Sequence, residues 1–343
     1  MPAERILIWG AGAIGGTVGA YLVRAGHDVT FVDIVEEHVR AIADASRGLA
    51  ITGPVEEFSV TAPAFLPREL TGSWNHVFLC VKAHHTEEAA RALLPHLAAD
   101  GYVLSLQNGL CETVIEGVVG RERTIGAFVN FGADWMGPGE VMYGNRGAVV
   151  LGELDGSITP RLEALHRVML DFDDAAIMTG NIWGYLWGKL AYGSMLFAQA
   201  LGQDSIAGSL ANPALFRLWR ALGAEVMAVA EAEGVRAEGF NGFDPGAFGR
   251  AGTEAAAQAS VDAMVAHNRT SAKTHSGVWR DLAVRKRRTE VDVQIGPIPA
   301  IAARHGLATP LVDRLVTMIH EVENGTRPMT DANLIELAGA VPA

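Results

Sequence analysis

The chain has 343 residues, of which 49% are hydrophobic and 19% charged, and this length exceeds the roughly 250–300 residues at which single cores divide, so we expect two domains. The formal net charge of −12 argues against nucleic acid or an anionic membrane as a partner. Neither Cys80 nor Cys111 has a CxxC or histidine-spaced partner, so a disulfide framework and a structural zinc are not expected.

The first residues run directly into the apolar segment Arg5–Trp9, without the basic start and small-residue cleavage site of a signal peptide. Further along, the apolar stretch Trp183–Leu201 is interrupted by Lys189, Gln199 and several glycines, which is not typical of a membrane span. We therefore expect a cytoplasmic protein without a transmembrane segment.

The first half of the chain alternates short apolar runs with amphipathic segments, as βαβ units around a mostly parallel sheet do. Two short β-like pieces are expected within Gly48–Leu66, and a Gly-Pro-Gly hairpin turn at Gly137–Gly139. The remaining predicted strands are Arg5–Trp9, Asp28–Val32, His76–Lys82, Tyr102–Leu106, Ile125–Phe131 and Gly147–Leu151, with the hairpin turn between the last two.

From about Thr179 the strand-like runs give way to long alanine- and leucine-rich segments with helical spacing. This pattern predicts an α/β Rossmann domain over residues 1–178 and an all-α domain for substrate and dimerisation over residues 179–343. Glu238–Gly252 is rich in glycine and phenylalanine and is expected to be an irregular connection. The long apolar helices and seven tryptophans favour a homodimer.

A glycine-rich loop follows the first predicted strand and opens an amphipathic segment, Ile14–Arg24. In a GxGxxG loop the first glycine permits a tight turn, the second lets the backbone approach a pyrophosphate, and the third lets the helix pack on the sheet. The alternative, an ordinary glycine turn, does not explain the strand, loop and helix in register. The predicted cofactor contacts are Gly10, Gly12, Ala13, Ile14 and Gly15.

Asp33 directly follows the second predicted strand, where a carboxylate can accept hydrogen bonds from the adenosine ribose. The carboxylate would repel a 2′-phosphate, and residues 34–37 offer no arginine to neutralise one. NAD is therefore favoured, and NADP remains possible because Arg40 lies a little further along.

Two charged residues in the second half are candidates for the chemistry. Lys189 lies in an apolar helical stretch, where it could polarise a C2 carbonyl or protonate an alkoxide, or simply extend to solvent at a helix edge. Glu290 could orient the reacting groups, or form a solvated helical pair with Lys286 four residues earlier.

Polar residues also follow two further predicted strands, at the edge where open α/β sheets bind ligands. Asn108, in Gln107-Asn108-Gly109, could contact the nicotinamide side and the substrate, although Asn-Gly is also a common turn. Lys82, together with His84 and His85, is expected at the same edge, and these residues are candidate cofactor or substrate contacts. The adjacent His84 and His85 do not have the spacing of metal ligands, and we expect no metal.

Taken in chain order, these residues resemble the ketopantoate reductase (2-dehydropantoate 2-reductase) family. The resemblance implies a Rossmann domain, a helical domain and NAD(P)-dependent reduction of a 2-keto acid. It also implies that Lys189 is the general acid, that Glu290 orients the lysine and the substrate, and that Asn108 binds substrate. The segments that carry it are Gly10–Gly16, Val81-Lys82-Ala83, Gln107-Asn108-Gly109, Pro138-Gly139-Glu140, Leu186–Leu190 and Thr289-Glu290-Val291-Asp292.

The chain also departs from the family pattern. One and two helical turns after its lysine, the family carries asparagines that bind the pantoate end of the substrate, where this chain has Gly193 and Phe197. The family's substrate-binding serine would fall near Val278, with Ser276 only approximately in place. The family is typically NADP-dependent, whereas Asp33 favours NAD. We therefore expect the reaction type to be retained and the substrate to differ.

The sequence thus predicts an oxidoreductase that interconverts a small 2-keto acid and a 2-hydroxy acid, with oxidation of a 2-hydroxy acid, such as a sugar acid, as a competing direction. Two alternatives are kept: an NAD-dependent sugar-acid or 3-hydroxy acid dehydrogenase, and a non-catalytic NAD-binding regulator. The predicted substrate contacts are Asn108, Gly193, Lys273, His275, Ser276 and Arg280.

Overall fold

A computed structural model describes residues 5–270 and 274–341, and the chain divides into two units, Met1–Ile182 and Trp183–Ala343. Residues 179–182 remain attached to the first unit. The Thr179 N–H donates to the Leu151 carbonyl at 2.9 Å, and a Cβ placed on Gly152 would lie 2.8 Å from the Cβ of Ile182. The first unit therefore extends slightly beyond residue 178.

The described residues of the first unit form twelve strands and five α-helices, besides four short 3-10 turns. The strands are β1 (Arg5–Trp9), β2 (Asp28–Val32), β3 (Leu49–Thr52), β4 (Phe58–Val60), β5 (Ala64–Phe65), β6 (Trp74–Leu79), β7 (Leu97–Ser105), β8 (Thr124–Val129), β9 (Gly132–Gly137), β10 (Glu140–Asn145), β11 (Val149–Glu153) and β12 (Ile177–Met178). The helices are α1 (Ala13–Arg24), α2 (Glu36–Ala43), α3 (Thr86–Leu93), α4 (Cys111–Val119) and α5 (Pro160–Leu170).

Eight strands form the main sheet, in the order β12-β11-β8-β7-β6-β1-β2-β5. Neighbouring strands are parallel except β8 and β11, which are antiparallel. The register pairs Trp9 with both Val32 and Leu79, and Leu79 with Ser105, so the carboxyl ends of β1, β2, β6 and β7 meet at one edge. Because β2 and β6 lie on opposite sides of β1, this edge contains the switch point at which such sheets bind ligands.

A second sheet of four strands, in the order β4-β3-β10-β9, contains the predicted hairpin turn. The turn is present, and the two strands predicted on either side of it are present as β8 and β11, which pair with each other in the main sheet. The turn does not join them, however: it joins β9 and β10, two strands between them that the sequence did not predict. The hairpin pairs with β3 instead, and the Ala50 N–H donates to the Gly139 carbonyl at 2.8 Å.

Strands β1 and β2 have the predicted bounds, whereas β6 ends earlier than predicted. The Cys80 N–H donates to the Trp9 carbonyl at 2.8 Å, and the chain then turns away. Lys82 therefore lies beyond the strand, before a short turn that leads into α3. Strand β7 begins at Leu97, several residues before the predicted start.

The core of the first unit includes a cluster of aromatic rings beside α1. Tyr21 makes edge contacts with Phe58, Tyr143 and Phe172, at centroid distances of 5.0, 5.8 and 5.4 Å. Edge-to-face contacts of this kind add to the free energy gained by burying the rings. The cluster packs α1, which opens with the glycine loop, against the second sheet.

The second unit is helical. Helix α6 begins at the last residue of the first unit. Among the described residues, the α-helices from this point on are α6 (Ile182–Gln199), α7 (Ile206–Ala211), α8 (Phe216–Ala232), α9 (Glu254–Arg269), α10 (Gly277–Ala283), α11 (Val291–Gln294), α12 (Ile298–Arg304), α13 (Pro310–Glu323) and α14 (Ala332–Gly339). Residues 235–253 form the predicted irregular connection, with one short turn at Pro245–Ala247. The predicted fold class, an α/β Rossmann domain followed by a helical domain, is confirmed.

Between residues 5 and 341, apart from 271–273, none of the helices combines the length and the apolar character needed to cross a bilayer.

Candidate active site

The glycine loop has the three geometric properties that its sequence predicts. Gly10 has a φ of +99°, which only glycine adopts readily. A Cβ on Gly15 would lie 2.0 Å from the Gly10 carbonyl oxygen and 2.8 Å from Ile8, so its absence lets α1 pack against β1. Apart from its chain neighbours, no atom in the described part of the chain lies within 4 Å of a Cβ built on Gly12. This open position at the start of α1 fits a pyrophosphate, which needs close access to backbone N–H groups.

Asp33 lies at the carboxyl end of β2, and its carboxylate is held by the backbone. Its Oδ2 accepts a hydrogen bond from the Ala11 N–H at 2.9 Å, and its Oδ1 accepts one from the Val35 N–H at 3.0 Å. A carboxylate can accept about four hydrogen bonds, so it retains capacity for two ribose hydroxyls. Asp33 thus joins β2 to the glycine loop in the position expected of a ribose acceptor.

The arginine that could favour NADP already has a partner. Arg40 and Glu36 form an ion pair one turn apart on α2, and the Arg40 side chain is 75% exposed. A 2′-phosphate near Arg40 would have to compete with Glu36 for the guanidinium. Arg40 is therefore already engaged in an ion pair on its own helix.

Gln107 lies just after β7 and connects this end of the strand to the segment that follows β6. The sequence motif alone did not single it out. Its buried Nε2 donates to the Val81 carbonyl at 2.8 Å and to the Thr86 hydroxyl at 2.9 Å. These bonds hold the turn that carries Lys82 against the Gln107-Asn108 segment. Asn108 itself is half-buried, and its carbonyl accepts a hydrogen bond from the Cys111 thiol at 3.3 Å.

Lys82 is exposed just beyond β6, and the rings of His84 and His85 follow with a centroid distance of 4.1 Å. The described residues contain no group of three or more His, Cys, Asp or Glu side chains arranged to hold a metal ion. The cysteines are not joined as a disulfide. Burial raises the pKa of the Cys80 thiol above its usual range, which makes this thiol a poor nucleophile.

In the second unit, Lys189 is the only charged residue of α6 and is half-buried. The irregular connection packs closely on this helix: the Glu238 N–H donates to the Gly184 carbonyl at 2.9 Å. A Cβ on Gly188 would lie 2.3 Å from the Glu238 carbonyl oxygen. Gly193 lies one turn after Lys189 and on the same face. Among the residues that the structure describes, and apart from the backbone of its own helix and its chain neighbours, no atom lies within 4 Å of a Cβ built there.

The face of α6 that carries Lys189 and Gly193 also carries Tyr192, which the sequence analysis missed. Its hydroxyl accepts a hydrogen bond from the Asn268 Nδ2 at 3.1 Å, and its ring lies 5.8 Å from that of Phe240. Burial raises the pKa of Tyr192, so the phenol stays neutral. Helical spacing from Lys189 was the available clue.

Glu290 lies buried at the N-cap of α11, with 8% of its surface exposed. The segment before it is irregular, and Lys286 is exposed with a φ of +51°, so the predicted alternative of a helical Lys286–Glu290 pair was wrong. Thr289 fixes the approach to Glu290, because its N–H and hydroxyl both donate to Glu323 at 2.7 Å. The carboxylate is therefore presented from an anchored turn.

The predicted substrate contacts around α10 have structural roles as well. The Ser276 hydroxyl caps α10 by accepting a hydrogen bond from the Trp279 N–H at 3.1 Å, and the buried hydroxyl can still donate one. The His275 ring lies 4.0 Å from that of Trp279. Arg280 is half-buried on the same helix. Lys273 lies outside the described residues.

Two family models match the chain. The one described as "Ketopantoate reductase PanE/ApbA" matches residues 6–156, and the one described as "Ketopantoate reductase PanE/ApbA C terminal" matches residues 181–323. A protein of Archaeoglobus fulgidus named 2-dehydropantoate 2-reductase is 27% identical over 330 residues, which cover 95% of this chain and 100% of that protein. One from Aquifex aeolicus with the same name is 25% identical over 327 residues, covering 93% and 97%.

Solved structures are similar to this chain over nearly its whole length. A PanE/ApbA family ketopantoate reductase from Ralstonia eutropha JMP134 has a TM-score of 0.78 and 26% identity, covering 95% of this chain and 100% of that one. A D-mandelate dehydrogenase in ternary complex with NADH and anilino(oxo)acetate has a TM-score of 0.79 over 94% of this chain and 99% of that one. At 22% identity, the second likeness shows a shared fold.

Proposed function

Because this chain belongs to the ketopantoate reductase family and is an NAD(P)-dependent oxidoreductase acting on CH–OH groups, we propose that it interconverts a small 2-keto acid and its 2-hydroxy acid with NAD(H). The observation that carries the proposal is Lys189, the only charged side chain on an 18-residue helix whose neighbouring residues are buried. A half-buried ammonium next to open space at Gly193 can serve as a proton donor to substrate.

The residues of the first unit fit a dinucleotide. The open backbone at Gly12 would receive the pyrophosphate, and Asp33 would accept hydrogen bonds from the adenosine ribose. Asn108 and Lys82 would contact the nicotinamide side. When bound, NADH supplies a hydride to the carbonyl carbon of the substrate.

Lys189 would donate a hydrogen bond to the 2-keto oxygen, which polarises the carbonyl. As C2 gains the hydride and the C=O π bond breaks, the oxygen takes a proton from the Lys189 ammonium, leaving a neutral amine. In the direction of oxidation the amine accepts that proton from the hydroxyl. Glu290, buried and anchored through Thr289, would orient the ammonium and the substrate.

The substrate proposed here differs from ketopantoate. The positions one and two turns after Lys189 are Gly193 and Phe197, and neither side chain can donate a hydrogen bond to a hydroxylated substrate end. Phe197 is also almost fully buried. With NAD as cofactor, oxidation of a 2-hydroxy acid is the favoured direction in this proposal.

Initial-rate measurements test the proposal. The purified protein is assayed with ketopantoate and NADH or NADPH, and then with a panel of 2- and 3-hydroxy acids and NAD⁺, following NADH absorbance. We expect turnover of a 2-hydroxy acid with NAD⁺, and a lower kcat/KM for ketopantoate. Turnover of 3-hydroxy acids alone would contradict the proposed reaction at C2 and favour a 3-hydroxy acid dehydrogenase. NADH binding without any turnover would favour a non-catalytic regulator.

A further inference from the structure

The glycine loop is held at both backbone groups of a single residue, Ala11. The Ala11 N–H donates to the Asp33 carboxylate at 2.9 Å. The Ala11 carbonyl lies 2.8 Å from the Nε2 of His38, which belongs to α2 and is 1% exposed. Two successive peptide groups of the loop are therefore fixed by side chains that come from outside it.

The partners of His38 determine which ring nitrogen carries its hydrogen. The Gly139 N–H donates to Nδ1 at 2.8 Å, so Nδ1 is an acceptor and has no hydrogen. In the neutral ring Nε2 then carries the hydrogen and donates to the Ala11 carbonyl. The rings of Trp135 and His38 are nearly perpendicular, with 6.0 Å between their centroids. His38 thus links the glycine loop to the β9–β10 turn.

The Ala11 carbonyl and the Gly12 N–H belong to one peptide group, which is planar and trans, so the two point in opposite directions. A hydrogen bond that fixes the carbonyl also fixes the direction of the N–H. Gly12 is the loop position whose surroundings are open, and its N–H is one of the donors available to a phosphate.

We propose that His38 is a positioning residue for the dinucleotide, which holds the Ala11–Gly12 peptide so that the Gly12 N–H faces the pyrophosphate. The proposal rests on the proposed function in taking NAD(H) as the ligand of this loop. His38 touches neither the reacting atoms nor the open position itself, and it acts through the Ala11 carbonyl.

Two substitutions separate the hydrogen bonds of His38. The amide of His38→Gln can reach the position of Nε2 and donate to Ala11, while the shorter His38→Asn reaches only the position of Nδ1 and can accept from Gly139. A matched control is His166→Asn, because the His166 Nε2 also binds a backbone carbonyl, that of Ala176, at 2.7 Å. His166 lies on α5, beside β11 and β12, at the far end of the main sheet from β2.

The dissociation constant of NADH is measured by fluorescence, together with the melting temperature of the ligand-free protein. We expect His38→Asn to raise this constant about ten-fold, the loss expected for one well-placed hydrogen bond. His38→Gln should stay within about three-fold of wild type, and His166→Asn should lower the melting temperature without changing NADH affinity. In steady-state assays the His38→Asn effect should appear in the KM for the cofactor, with kcat nearly unchanged.

Unchanged NADH affinity in His38→Asn would overturn the proposal, as would equal losses in His38→Gln and His38→Asn. Failure of the wild-type protein to bind NADH would instead overturn the proposed function. If His38→Asn does not fold, nitrogen NMR of wild-type protein labelled at histidine decides: NADH should shift the His38 Nε2 resonance and leave His166 unchanged. An unshifted His38 resonance would refute the positioning role.

Discussion

The Asp33 carboxylate accepts a hydrogen bond from the Ala11 N–H at 2.9 Å, which joins the end of β2 to the glycine loop. The same carboxylate is the group that would meet the adenosine ribose. The role of its negative charge can be tested separately from its bond to Ala11. In Asp33→Asn the amide oxygen can still accept from the Ala11 N–H, while the negative charge is lost.

We predict that Asp33→Asn narrows the preference for NADH over NADPH by about ten-fold or more, since removal of the carboxylate weakens the bonds to the ribose and removes repulsion of a 2′-phosphate. The ratio of kcat/KM for the two cofactors measures this. Glu37→Gln, which removes one exposed charge nearby, is the control and should change the ratio much less. An unchanged ratio in Asp33→Asn would show that Asp33 does not determine cofactor choice.

The glycines at 12 and 15 should respond to alanine in opposite ways. In Gly15→Ala the new methyl group would lie 2.0 Å from the Gly10 carbonyl oxygen, so α1 must shift and the free energy of unfolding should fall. We expect a loss of about 2–4 kcal/mol, as for overpacked core positions. Chemical denaturation measures it, and a stability equal to wild type would contradict the packing role.

Gly12→Ala should instead fold as stably as wild type, because no described atom beyond the chain neighbours lies within 4 Å of the added methyl group and the φ of −69° suits alanine. The methyl group would fill space next to the backbone that the pyrophosphate needs. We predict NADH binding weakened about ten-fold or more at unchanged melting temperature. Calorimetric titration tests this, and normal affinity would place the pyrophosphate elsewhere.

Local sequence patterns predicted the parts of the first unit that are formed by neighbouring residues. β1, the glycine loop and Asp33 lie where their spacing placed them, because strand periodicity and turn chemistry act over a few residues. The pairing of the β9–β10 hairpin with β3 was missed, since it joins segments about ninety residues apart and no local pattern encodes it.

The same limit applies to the site. The contact between the His38 Nδ1 and Gly139 spans 101 residues, and the bond between Tyr192 and Asn268 spans 76. Neither residue belongs to a motif, and only Tyr192 had a local clue, its helical spacing from Lys189. The helical pairing considered for Lys286 and Glu290 failed for a different reason: a left-handed residue at 286 breaks the spacing on which it depended.

A network of charged side chains near the C-terminal helix should make the stability of the protein depend on pH. Glu336 on α14 accepts hydrogen bonds from Arg327 at 2.7 Å and from Arg314 at 2.6 Å. Hydrogen bonds from Arg327 and then Arg314 lower the pKa of Glu336 from 4.5 to about 2. Because the folded pKa is the lower one, the stabilisation is present above pH 4.5 and is lost as the pH falls from 4.5 toward 2.

We therefore predict that Glu336→Gln lowers the melting temperature at pH 6 to 7, and that the gap from wild type closes as the pH falls from about 4.5 toward 2. Thermal melts across this range at low ionic strength measure it. Glu254→Gln, which removes a single ion pair with Arg220 at 3.3 Å, serves as the control and should show a smaller gap. A gap for Glu336→Gln that does not vary with pH would exclude the charge network as its cause.

Gly193 offers a test of substrate choice. Asparagine at this position would add a hydrogen-bonding side chain one turn after Lys189, and the open surroundings leave room for it. We predict that Gly193→Asn raises kcat/KM for ketopantoate about ten-fold, as one hydrogen bond to a hydroxyl would. Gly193→Ala fills space without adding a donor and should bring no such gain. A similar gain with alanine would mean that volume, and not hydrogen bonding, limits this substrate.

If the Lys189 ammonium supplies the proton to the substrate oxygen, removing its charge should slow turnover. Methionine has a similar length and no charge, so Lys189→Met should preserve the packing of α6 while removing the proton donor. We expect kcat to fall by about 10²–10⁴-fold, the usual contribution of general acid catalysis, with the dissociation constant of NADH unchanged. Lys286→Met, at an exposed and irregular position, should leave both quantities as in wild type. If Lys189→Met retained turnover, another group would have to supply the proton, and half-burial of this ammonium would reflect packing alone.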